Sequence, residues 1–160
     1  MRKLWGLVLL ALLLSACGRA ETMETVADVW DVPAAAIPRQ MYAELPEDGS
    51  AEALEGDTGR MYITDDDCLS LETLAAGDLD ATLTQLCGRG KDQLTVLETR
   101  QDGVKRYDFV WAAAGEAGEV LGRGAILDDG DYHYCMTALC PAGEAKDPKW
   151  DTIFNSFRLE

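Results

Sequence analysis

Basic residues are scarce in this chain, and histidine is almost absent. Lys and Arg number 14 against 29 Asp and Glu, giving the 160 residues a formal net charge of −15. Such a surface repels phosphates, which argues against nucleic acid as a partner. The single histidine, His133, excludes a multi-His metal centre and leaves one residue on which histidine-based catalysis could rest. No Cys-x-x-Cys pair occurs, so the close ligand pairs of structural zinc sites are missing. There is no Gly-x-Ser-x-Gly elbow. Gly88-Arg89-Gly90 and Gly115–Gly118 lack the strand-to-helix setting of a nucleotide-binding loop. The longest apolar run, Leu4–Leu14, has eleven residues, whereas a membrane-crossing helix needs about 20. What is present is a 48% hydrophobic content over a length suited to one domain with a real core.

Arg2 and Lys3 precede the apolar run, and small residues follow it. This is the pattern of a secretory signal peptide, which is removed and takes no part in the fold. The segment closes on Leu14-Ser15-Ala16-Cys17-Gly18, which resembles the lipobox of bacterial lipoproteins. The resemblance implies cleavage after residue 16 and lipidation of Cys17, with acyl chains such as palmitate. Two chains hold a protein stably at a bilayer where one does not. Loss of Arg2 and Lys3 leaves 12 basic residues against 29 acidic ones, so an anionic bilayer repels the mature domain. The expectation is a lipid-anchored, extracytoplasmic protein that hangs from its tether. In an envelope with two membranes, Gly18 in place of Asp implies the outer one.

Residues 17–38 are acidic and Ala-rich, are broken by Pro33 and Pro38, and read as a flexible tether in which Trp30 is loosely held. Residues 39–160 read as a single α+β domain. Strand patterns cover Gln40–Leu45, Arg60–Thr64 and Cys68–Ala75, with Asp65-Asp66-Asp67 as a hairpin loop. A helix follows at Asp78–Cys87, with Asp78 as N-cap and Gly88 closing it. Leu94–Arg100, Lys105–Ala113, Glu119–Leu127 and Asp131–Leu139 form two hairpins around Asp102-Gly103 and Asp128-Asp129-Gly130. An amphipathic helix at Asp147–Leu159 ends the chain, with Pro148 at its first position and Trp150, Ile153, Phe154 and Phe157 on one face. The prediction is an antiparallel sheet of about six to seven strands with two helices packed on it.

This order, with Asp131-Tyr132-His133-Tyr134, Pro141, the Trp150-x-x-Ile153-Phe154-x-x-Phe157 helix and Asn155-Ser156-Phe157, is similar to the PsbP-like and DcrB-like fold. That group includes many small bacterial lipoproteins. The resemblance supplies no catalytic residues, and four domain cysteines depart from it.

Cys68, Cys87, Cys135 and Cys140 are an even set in an exported chain, so two disulfides lead over four reduced, buried thiols. Cys135 and Cys140 can join only if their strand ends near Met136, since an extended span of that length covers about 16 Å. The Asp runs miss the alternation of a calcium loop and read as solvated turns. Strand alternation puts His133 on the face opposite Tyr132 and Tyr134, beside Cys135, as a structural residue. The expectation is therefore a non-catalytic binding or accessory module of the envelope, without cofactor or metal and with an envelope protein as its candidate partner. The rival is an envelope enzyme using His133 with a cysteine or acidic partner.

Overall fold

The computed structural model describes residues 36–45, 50–53, 59–64, 67–115, 118–144 and 147–160. The expected signal peptide (1–16), the expected lipidation site Cys17, most of the expected tether (17–38) with Trp30, and Asp65 and Asp66 lie outside the described residues. In chain order the elements are β1 (Met41–Tyr42), β2 (Ser50–Ala53), β3 (Gly59–Ile63), β4 (Cys68–Ala75), α1 (Leu79–Cys87), a 3₁₀ turn (Lys91–Gln93), β5 (Val96–Gln101), β6 (Val104–Gly115), β7 (Gly118–Asp128), β8 (Tyr132–Pro141), α2 (Pro148–Ser156) and β9 (Arg158–Leu159). Seven strands make one antiparallel sheet in the order β2-β3-β4-β8-β7-β6-β5, and β1 pairs with β9 in a separate ribbon. Among the described residues the fold is α+β with two α-helices, as the sequence predicts.

The turns and caps follow from local chemistry. Asp102 and Gly103 both take positive φ, 51° and 85°, the combination that a two-residue hairpin turn demands. The Asp78 carboxylate accepts from the Asp80 N–H at the start of α1, and left-handed Gly88 donates to Thr84 O at its end. Asp147 caps α2 through the Lys149 N–H, with Pro148 at the first position.

Strand alternation then divides the side chains into two cores. Tyr107, Phe109 and Trp111 of β6, Ile126 of β7 and Cys135 of β8 gather around Leu83 of α1. Leu69, Leu71, Ala125, Leu127, Tyr134, Met136, Ala138 and Cys140 point the other way and meet Trp150, Ile153, Phe154 and Phe157. The two helices thus cover opposite faces of the sheet. On the α1 face, the rings of Phe109 and Trp111 stack with centroids 5.6 Å apart. They lie over their cross-strand partners Gly124 and Gly122, where an added Cβ would come within 2.2 and 2.1 Å of ring carbons. Glycine is required there by close approach, in the manner of aromatic rescue.

Two elements end well short of expectation. The Gln40–Leu45 strand shrinks to two residues, although Met41, Ala43 and Leu45 do share the side packed on the α2 core. The final helix stops at Ser156, and Phe157 turns extended with φ −65° and ψ 117°. Buried Arg106 accounts for the stop: it donates to Phe154 O at 2.9 Å and Phe157 O at 3.4 Å, while Asp108 grips it bidentately at 2.8 and 2.9 Å. A cation on the last carbonyls suits the negative end of a helix. The chain then continues as β9, with the Glu160 N–H donating to Gln40 O at 2.9 Å. Strands β2 and β9 are additions to the predicted set.

Candidate functional site

His133 stands where alternation puts it, on the α1 face, 2% exposed. Its Nδ1 shares a 2.8 Å hydrogen bond with Thr82 Oγ1 of α1. Burial holds its pKa below the ordinary value; Asp128 and Asp129 pull it up, and Lys105 pushes it down. The Cys135 thiol donates to the backbone oxygen of His133 at 3.6 Å. Histidine, hydroxyl and thiol are thus brought together on one face, but as a packed contact between helix and sheet.

The four domain cysteines are free thiols in this structure, and none of the expected bridges is formed. Strand parity separates them: Cys140 belongs to the α2 core and Cys135 to the α1 core. Strand β8 stays extended through both, so the bend that a Cys135–Cys140 bridge needs is absent. Cys68 pairs in register with Leu139, and Cys135 pairs with Glu72, four residues or about 13 Å further along. Cys87 Sγ donates to Leu83 O at 3.2 Å, within its own helix. Burial pushes the Cys68, Cys135 and Cys140 thiols up, and Glu72 adds to the effect at Cys135. Raised thiols are poor nucleophiles.

Among the described acidic turn residues, Asp67, Asp128 and Asp129 each accept at least one hydrogen bond from the protein. Asp129 accepts from the N–H groups of Asp131 and Tyr132 at 3.1 and 2.9 Å, and from the Tyr134 hydroxyl at 2.9 Å. Burial opposes its charge, yet these donors and Arg39 outweigh burial and hold its pKa low. Asp128 accepts from the Gly130 N–H at 2.9 Å. Buried Asp67 receives the ammonium of Lys149, which raises the lysine's pKa.

An opening lies on the α2 face, a feature that periodicity alone does not reveal. Helix α2 packs on side chains of β4, β7 and β8 and leaves Val110 of β6 exposed. The result is a cleft of 570 Å³ with Val110, Leu121, Ala138, Cys140 and Trp150 among its lining residues. Val110 is 58% exposed although it sits within a sheet strand. The rim carries Arg123, whose Nη1 donates to Asp151 Oδ1 at 2.8 Å while the guanidinium lies 4.4 Å from the Phe154 ring centre. The size is that of small-ligand sites, and the lining is mainly apolar, with Asp108, Arg123 and Asp151 as its charged members.

No family model and no curated protein matches this sequence. Solved structures do match. The PsbP of the cyanobacterium Synechocystis sp. PCC 6803 aligns over 81% of this chain and 96% of its own, with a TM-score of 0.54 and 14% identity. The fold is PsbP-like. A Bacteroides thetaiotaomicron protein aligns over 75% of this chain with a TM-score of 0.51 and 8% identity; the match spans 45% of that longer chain. LpqN of Mycobacterium tuberculosis, described as involved in cell envelope biogenesis, aligns at a TM-score of 0.49 and 11% identity, over 77% of this chain and 86% of its own. At these identities the likeness extends to the PsbP-like fold and not to an activity.

Proposed function

We propose that this protein is a lipid-anchored, extracytoplasmic accessory module of the bacterial envelope that works by binding. The observation that carries the reading is the order Arg2-Lys3, the eleven-residue apolar run and Leu14-Ser15-Ala16-Cys17. A PsbP-like domain with a cleft beside its last helix is a suitable body for such an anchor. The state of His133 supports a non-catalytic role. Its Nδ1 is engaged by Thr82, its protonated form is disfavoured, and the neighbouring Cys135 thiol is pushed up by burial. An envelope partner protein or a small apolar ligand fits the cleft on the α2 face.

The test uses the full chain in a bacterial host fed an alkyne-bearing palmitate. The wild type should take up the label and sediment with membranes. Cys17→Ser should lose the label and keep the unprocessed mass. A labelled, mature-sized Cys17→Ser protein in the membrane fraction overturns the anchor.

A further inference from the structure

Strand β5 ends the seven-stranded sheet, and among the described residues no strand pairs with its outer edge. Unpaired edges invite another strand. Gln101 and Val104 flank the two-residue turn, so Gln101, Thr99 and Leu97 direct their backbone groups at β6. The N–H and C=O groups of Val96, Glu98 and Arg100 therefore face outward. Glu98, Thr99 and Arg100 are all exposed. Within the protomer Arg100 sits directly opposite Lys105, a like-charge pair, and makes only a long 3.4 Å contact to Gly103 O. Lys105 has Asp128 at 3.7 Å, whereas among the described residues no carboxylate is within ion-pair distance of Arg100.

We propose that β5 is a homodimer edge, pairing antiparallel with β5 of a second copy about a two-fold axis at Thr99. The alternation of outward groups permits three central registers, with Glu98, Thr99 or Arg100 opposite its own copy. The first sets carboxylate against carboxylate. The third sets guanidinium against guanidinium and Glu98 against Asp102. The register at Thr99 alone places each Glu98 opposite the other copy's Arg100, with both residues supplying the hydrogen-bonding backbone groups. It also sets Thr99 against Thr99, a favourable cross-strand pair. The two sheets join into one, and the contact lies isologously on the same patch of both copies. Leu97, 61% exposed beside Val110 on the α2 face, gains Gln101 of the second copy as its neighbour.

Non-hydrogen-bonded partners in an antiparallel pair have Cα atoms about 4.5 Å apart, within the disulfide range. Thr99→Cys in the full chain, oxidised with copper phenanthroline in extracts of the expressing host, should therefore migrate mostly as a dimer on a non-reducing gel. Leu97→Cys, whose symmetry mate is about 13 Å away, should give at most a fifth of that dimer. The unmodified chain sets the background from the native thiols. Adding Glu98→Arg to Thr99→Cys should reduce the dimer at least five-fold, and adding Arg100→Glu as well should restore it. Equal cross-linking at positions 97 and 99, no dimer with Thr99→Cys, or indifference to Glu98→Arg each overturns the proposal. Circular dichroism of each variant checks that these surface changes leave the fold intact.

Discussion

The two faces of the sheet are built on different terms. The α1 face is closed by aromatic rings lying flat over glycines, with a histidine and a threonine joined beneath the helix. The α2 face holds the larger set of buried side chains, yet α2 leaves its outer part open as a cleft. Both helices have nine residues. Coverage is therefore set by where a helix is pinned, not by its length. Arg106 and the β1–β9 ribbon hold the C-terminal end of α2, and Lys149 with Asp67 holds its start. A helix fixed at both ends cannot slide over Val110. That difference assigns stability to one region and access to another.

Substitutions on the two faces can break this contrast. The largest effect belongs to Phe154→Ala, which removes a fully buried ring from the α2 core and should cost about 3–5 kcal/mol in chemical denaturation. An unchanged midpoint would mean that α2 is peripheral. Gly124→Ala comes next, at about 1–3 kcal/mol, because the new methyl group collides with the Phe109 ring. Combining Gly124→Ala with Phe109→Leu should cost less than the two single losses added together, since the clash is removed with the ring.

His133 sharpens the contrast through pH. Its pKa is lowered by folding, so below about 6.5 the unfolded chain takes up a proton that the folded chain refuses. The stabilisation is fully present above that value and is lost as pH falls toward the folded pKa. Wild-type stability should drop between pH 7 and pH 5, and His133→Gln should flatten that slope. Parallel slopes would remove the buried neutral histidine from the account. The smallest effect is expected at the cleft, where Val110→Lys should change stability by no more than about 0.5 kcal/mol. A loss as large as that of Phe154→Ala would mean that the cleft is closed in solution.

Much of the fold was legible because its signals are local. Asp78 with Gly88, Pro148 after Asp147, and the Asp102-Gly103 turn each depend on the φ, ψ and hydrogen bonds of a few neighbouring residues. Period-two alternation likewise placed His133 opposite Tyr132 and Tyr134, and period 3.6 gathered Trp150, Ile153 and Phe154 onto one face. The state of the cysteines was less legible, since bridging depends on whether distant thiols converge. The cleft was not legible, because an empty space has no periodicity.

By itself the sequence determined the acidic charge, the α+β class and the order of most elements. Only the tertiary structure decided that the helices take opposite faces, that the last helix yields at Ser156 to a strand, and that Val110 stays open to solvent. The reason is physical. A turn or a cap is a contact between residues three or four apart, whereas Arg106 meets Phe154 across 48 residues and Tyr134 meets Arg39 across 95. Contacts of that span exist only once the whole sheet has formed.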